Sequence, residues 1–413
     1  MRLRATIFAL VAAGSLVAGT TGLAAQEIEF FHDKGFWSEP LQKMGDAAGE
    51  ATGTRFVEVA YATPEQYKAF IQSGIAAGDM PDIFTWWTGG VYKDLVESGA
   101  IAELDGIWEE LIASGDFSES TRDFYKVGDH VYGVPLHLSR WIVMYNKAQF
   151  AEAGIVGEPQ TWAELIDAAE KLKAAGITPF HATVQDGWRG FIWFEEFMIR
   201  TDPEAYKGLH DGSVAYDSEP VRNTFKIWSD WYAKGYFSDP RSIETIPDFA
   251  RGKGAMYLIG DWAIGLIEAT GMKAGEDFSA FILPNMDGSL PSSAILEGGP
   301  IMLSKEGLNK PEVVAALRYF ISVDGANVWA DVSGNALGNN NATPPNVVVA
   351  KINQDVADNG TLAIDRWWEA VPADLQGELV AELNRFMLDP TMDTAEDVMA
   401  NIQSLNAEYW ADQ

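Results

Sequence analysis

Apolar and polar residues alternate over 27–31 and again over 55–61, and the apolar positions become continuous over 81–85. Alternation with a period of two predicts half-buried strands, and a short continuous run predicts a fully buried one. Between them, 40–51 and 64–77 carry apolar residues at helical spacing, the first stopped by Gly53 and the second opened by Pro64. Strand, helix, strand, helix, strand predicts an α/β fold with a parallel sheet wrapped by helices. A short helix is predicted at 89–98, strands at 131–135 and 141–145, and a helix opening at 146–150. At the next helix Thr161 and Glu164 stand three residues apart, as a capping box requires. Residues 220–234 form a helix whose stripe of Phe225, Trp228, Trp231 and Tyr232 predicts core. Strands follow at 255–259, 278–284 and 293–303, the last interrupted by Gly298 and Gly299. A helix at 311–324, an Asn/Gly/Pro loop at 335–345 and helices at 346–358, 373–388 and 394–411 complete the reading. No low-complexity linker separates two halves, so two domains in this chain imply that the chain passes between them more than once.

Two adjacent tryptophans, Trp86 and Trp87, follow the strand at 81–85. Successive strand residues point to opposite faces, so the two rings cannot readily share one core face. Ligands of open α/β sheets bind beyond the carboxyl ends of strands, which makes this pair a candidate platform.

The N-terminus changes the picture next. Arg2 and Arg4 precede an apolar run at 7–17, and small residues end it at Ala24 and Ala25. That is the pattern of a secretory signal peptide over 1–25, too short to span a membrane. Cysteine is absent from the chain, so the signal is not of the lipid-anchored kind, and disulfides, thiol nucleophiles and Cys-ligated metals are excluded. An exported chain without disulfides must be held by its core, for which 413 residues are ample. Loss of Arg2 and Arg4 takes the formal charge from -31 to -33. Such a surface repels phosphate backbones and anionic lipid heads, which argues against nucleic-acid binding and direct membrane insertion.

Carboxylates beside aromatic residues, such as Asp261 and Glu297, raise the possibility of a glycoside hydrolase, whose two carboxyls must flank the scissile bond. Nothing in the sequence fixes their separation. His32, His130, His137, His181 and His210 are scattered without metal-ligand spacing, and no nucleophile elbow or zinc-protease motif occurs. No metal or cofactor is expected.

The chain resembles extracellular solute-binding proteins of family 1, the maltose-binding-protein-like sugar receptors of bacterial ABC importers. The resemblance rests on the order of several segments. They are Pro81-Asp-Ile-Phe-Thr-Trp-Trp87, Tyr132-Gly-Val-Pro135, Tyr145-Asn-Lys147, Pro159-Gln-Thr-Trp-Ala-Glu164, Gly252-Lys-Gly-Ala-Met256 with Gly260-Asp-Trp262, Gly298-Gly-Pro300, and the Asn-Asn-Ala-Thr-Pro-Pro run ending at Pro345. It implies a periplasmic-binding-protein type II fold, two α/β lobes joined by about three hinge crossings around a ligand cleft. The implied lobes are 26–140 with 299–340, and 141–298 with 341–413. It also implies a periplasmic, non-enzymatic receptor, monomeric, whose partners are a small carbohydrate and the permease subunits of an importer.

Sugars offer an apolar face to aromatic rings and a rim of hydroxyls to carboxylates, amides and Arg. The expected stacking residues are Trp86, Trp87, Trp188, Trp262, Trp367 and Trp368. The expected polar contacts are His32, Asp33 and Lys34 after the first strand, His137 and Arg140 at the first crossing, Arg189, Asp261, Glu297 before the hinge glycines, and Asp365 and Arg366. The negative charge of the whole chain favours a neutral oligosaccharide or glycoside. An anionic sugar is the alternative, met by His32, Lys34, Arg140, Arg189 or Arg366.

Overall fold

The computed structural model describes residues 25–411. The expected signal peptide lies outside the described residues. Among them, no helix is long and apolar enough to cross a membrane.

The expected strand–helix–strand–helix–strand unit forms. Gln26–His32 pairs in parallel with Thr54–Ala60 on one side and with Ile83–Thr85 on the other. Helix Ser38–Thr52 packs on Thr54–Ala60, and helix Pro64–Ala77 starts at Thr63, whose side chain accepts the Gln66 N–H. Pro300–Leu303 and Gly133–Pro135 add antiparallel strands, giving the order Thr54–Ala60, Gln26–His32, Ile83–Thr85, Pro300–Leu303, Gly133–Pro135.

A second sheet has the order Leu362–Asp365, Ser293–Glu297, Ser139–Asn146, Met256–Gly260, Phe180–His181, with Phe278–Phe281 also paired to Ser139–Asn146. The run 293–303, expected as one interrupted strand, is therefore two strands in two different sheets, parted by Gly298 and Gly299. Neither glycine has a left-handed φ. Their need for glycine is spatial. A Cβ at 299 would lie 2.7 Å from His137 Cε1, and one at 298 would press on Phe124 and the Tyr125 hydroxyl.

Three passages join the two lobes. Residues 136–138 link Gly133–Pro135 to Ser139–Asn146, and Gly298 and Gly299 link Glu297 back to Pro300. The second sheet takes up the chain at Ser139, which pairs with Glu297, ahead of the expected change at 140/141. The third passage follows helix Val323–Ser333, which packs on Ser38–Thr52, and precedes helix Val347–Asn359, which packs on Phe278–Phe281. The Asn/Gly/Pro segment between these helices has no regular structure.

The second lobe has an aromatic core. Helix Glu219–Ala233 buries Phe225, Trp228 and Trp231 as its stripe predicts. Helix Trp162–Ala174 begins with the Thr161–Glu164 capping box. Helices Asp105–Ala113 and Phe191–Thr201 and strand Leu362–Asp365 were not legible from the pattern.

Candidate functional site

The first lobe delivers its candidate residues from the carboxyl ends of two neighbouring strands. At the end of Gln26–His32, alternation sends Phe30 and His32 to the buried side. His32, expected in the cleft, is fully buried. Its Nε2 lies 2.7 Å from the Glu58 carboxylate and its Nδ1 accepts the Lys34 N–H. Burial, only partly opposed by Glu58, lowers its pKa. Asp33 and Lys34 pair with each other at 2.8 Å.

At the end of Ile83–Thr85 the tryptophan pair divides. Trp86, expected as a platform, tucks against Tyr67 and donates its indole N–H to the Val91 carbonyl, so it is structural. Trp87 reaches the seam between the lobes. Lys34 Nζ lies 5.4 Å and Lys68 Nζ 5.3 Å from its ring centre, and its edge meets Trp368 of the other lobe. Immediately afterwards Gly89 takes φ 75° and runs so close to the other lobe that a Cβ would overlap the Glu369 carbonyl.

The second lobe centres on Glu297. One carboxylate oxygen accepts the indole N–H groups of both Trp141 and Trp262 at 3.0 Å. The other lies 3.1 Å from Arg366 and 3.7 Å from His137. Arg366 also pairs with Glu369 at 3.0 Å, and its guanidinium lies 5.1 Å from the Trp368 ring centre. Phe36 of the first lobe stacks on Trp262 at 5.9 Å. Rings and polar groups of both lobes thus converge on one seam. Two open cavities of about 370 and 640 Å3 are lined by the second lobe alone and contain none of the expected contact residues.

Burial by itself would raise the Glu297 carboxyl. Arg366, with His137 and Trp262, reverses that and holds it at about 2. Glu369 moves up because burial outweighs its share of the same Arg366. His137 is buried against Trp37 with neither ring nitrogen hydrogen-bonded, and burial lowers its pKa despite Glu297. A folded pKa below the ordinary 4.5 contributes stability that is present above 4.5 and lost as pH falls through about 2. That difference is worth about 3 kcal/mol at neutral pH. Glu297→Gln should therefore be less stable than the native protein at pH 7, with a gap that narrows below pH 4.5, measured by urea unfolding at several pH values. A gap independent of pH would contradict this account.

The remaining expected residues lie elsewhere. Trp367 is a correction. It is fully buried among Phe191 and Phe194, donates its indole N–H to Tyr216, and its main-chain N–H goes to Glu195. Trp367 and Trp368 open the short helix Trp367–Ala370, whose turn sends 367 into the lobe and leaves 368 at the seam. Asp365 leaves its side chain exposed while its carbonyl accepts the Tyr206 hydroxyl. Asp261 is buried and pushed up to about 6 by that burial, against Arg140 and Ser139, and Arg140 reaches Asn353 at 2.8 Å. Arg189 stacks on Trp188 at 4.1 Å and bonds Tyr257 and Asp186, behind Trp141 rather than beside Glu297.

Four residues of the seam were missed: Phe36, Lys68, Trp141 and Glu369. Glu369 stands three residues after Arg366, the spacing of a helical ion pair, and could have been found. Lys68 lies on the polar face of an ordinary amphipathic helix and carries no sequence signal.

A family model for bacterial extracellular solute-binding proteins matches residues 12–327. The chain belongs to this family. An ABC transporter extracellular-binding protein of Pyrococcus horikoshii, itself uncharacterized, is 24% identical over 303 residues, 68% of this chain and 67% of that one. A protein of Brucella melitensis named as a probable sugar-binding periplasmic protein is 28% identical over 231 residues. That match spans about half the length of each chain, 53% of both. Among solved structures, a chitin oligosaccharide binding protein superposes with a TM-score of 0.80 at 21% identity, covering 93% of this chain and 98% of that one. The shared two-lobed fold of the family extends over nearly the whole described chain.

Proposed function

We propose that this protein is a receptor that closes two lobes over a saccharide and presents it to the membrane subunits of an ABC importer. The observation that carries the reading is the meeting of aromatic rings from both lobes, Phe36 on Trp262 and Trp87 against Trp368, around Lys34, Arg366 and a set of carboxylates. Rings of this kind suit the apolar faces of sugar rings, and the charged groups suit their hydroxyls. The names of the Brucella relative and of the chitin oligosaccharide binding protein support the same class. In this reading Asp33, Lys34, Trp87, His137, Trp262, Arg366 and Trp368 touch the ligand. Glu297 orients Trp262 and Arg366. The lobes are 26–138 with 299–340 and 139–298 with 341–413, and the mature monomer starts near Gln26 in the periplasm.

A hydrolase is disfavoured by the state of Glu297, the second carboxyl of the expected pair. A glycosidase acid must hold its proton near neutral pH, which calls for a raised pKa. Asp261, pushed up to about 6, meets that need, but Glu297, which would have to attack the sugar or activate water, has both carboxylate oxygens engaged by Trp141, Trp262 and Arg366. The test is a thermal-shift screen of the mature protein against a carbohydrate panel. A ligand at a hundred times its Kd should add about 2.7 kcal/mol of stability and raise the midpoint by several degrees. A midpoint unmoved by every saccharide would overturn the reading.

A further inference from the structure

Three cations face the seam, and they are not equivalent. Lys34 is paired with Asp33 at 2.8 Å. Arg366 is paired with both Glu297 and Glu369. Lys68 has no carboxylate within 4.0 Å among the described residues. Its partners are two indole rings from opposite lobes, Trp87 at 5.3 Å and Trp368 at 5.5 Å, and the Gln376 amide oxygen at 3.2 Å. Gln376 is itself fixed, because its amide nitrogen donates to the Trp368 carbonyl, which turns its oxygen toward Lys68.

We infer that Lys68 is a specificity-determining residue that reads an acidic group on the saccharide, a carboxylate such as that of a uronic acid, held between Trp87 and Trp368. This rests on the saccharide reading above and adds the charge class of the ligand. A half-buried ammonium pays for lost hydration unless an anion replaces the water. Glu65, on the same helix, and Asp33 favour the charged form only from a distance, and burial prevails, lowering the Lys68 pKa. A ligand carboxylate would supply the missing partner at the moment the lobes close. Lys34 also lies near the Trp87 ring, but it is already paired with Asp33. The Lys68 head, unpaired among the described residues, opposes, locally, the negative charge of the whole chain, which otherwise disfavours the approach of an anion.

The test uses matched pairs of ligands, unsubstituted xylo-oligosaccharides and the same chains bearing glucuronate, and galacto-oligosaccharides beside galacturonate oligomers. They are titrated calorimetrically into the mature native protein, Lys68→Gln and Lys68→Arg, each checked for fold by circular dichroism. The native protein should bind the acidic member of at least one pair about tenfold or more tighter, the scale of a charge-assisted hydrogen bond. Lys68→Gln should lose that preference, the acidic member weakening by about tenfold more than its neutral partner, and Lys68→Arg should retain it. Equal binding of acidic and neutral members, or equal weakening of both in Lys68→Gln, overturns the inference and leaves the saccharide receptor standing. Failure of every saccharide to bind folded native protein overturns both.

Discussion

Arg366→Ala should destabilise the protein by about 3–5 kcal/mol, the usual range for removing one member of a buried ion cluster. Arg366 is nearly inaccessible and touches two carboxylates, Glu297 at 3.1 Å and Glu369 at 3.0 Å. Glu369 is buried and Glu297 keeps 14% of its side chain accessible, and neither has another Lys or Arg within ion-pair distance among the described residues. Without the guanidinium, Glu297 would lose what overrides its burial and would have to take up a proton or stay charged in a poor solvent. Arg366→Lys should recover only part of the loss, since one ammonium cannot span two carboxylates as a planar fork does. Thermal unfolding should show a midpoint lower by about 4–6 °C. A loss below about 1 kcal/mol, the range of exposed pairs, would mean that the cluster is better hydrated than its burial indicates.

The neighbouring residues 367 and 368 should give opposite results. Trp367→Ala should cost about 3–5 kcal/mol of stability, as for aromatic residues removed from a core. Its ring is fully buried and its indole N–H is bound by Tyr216 at 3.0 Å. Ligand affinity of the protein that remains folded should stay near native. Trp368→Ala removes a half-exposed ring that faces Trp87 across the seam, so stability should change little. Binding of a saccharide should weaken by about 1.5–3 kcal/mol, the scale of an aromatic anchor in an interface. Paired unfolding and titration measurements separate the two. If Trp367→Ala lost binding at native stability and Trp368→Ala unfolded, the division of the pair would be inverted.

That division shows what the sequence could carry. Periodicity located the first three strands and their helices, because a strand that buries one face and a helix that buries one stripe leave a repeating mark. The stripe of Phe225, Trp228 and Trp231 was assigned to the core for the same reason. The adjacent tryptophans at 86–87 were recognised as unable to share a face and those at 367–368 were both expected to stack, yet nothing in either pair says which member turns inward. That depends on the phase of the preceding strand at 86–87 and of the helix turn at 367–368, and on what fills the lobe behind it: Tyr67 and the Val91 carbonyl for Trp86, Phe191, Phe194 and Tyr216 for Trp367. Glu297 was found because it precedes two glycines. Its partners Trp141 and Trp262 come from strand ends far away in sequence, and their convergence is a property of the fold alone.

Gly89 has a consequence of a different kind. The two lobes meet there backbone to backbone, at a point that contributes no side chain to the ligand. A methyl group would act as a wedge, holding the jaws apart while every ligand-facing residue kept its place on its own lobe. Capture and release could then be retuned through a residue that never touches the cargo, so relatives with identical contact residues need not share an affinity.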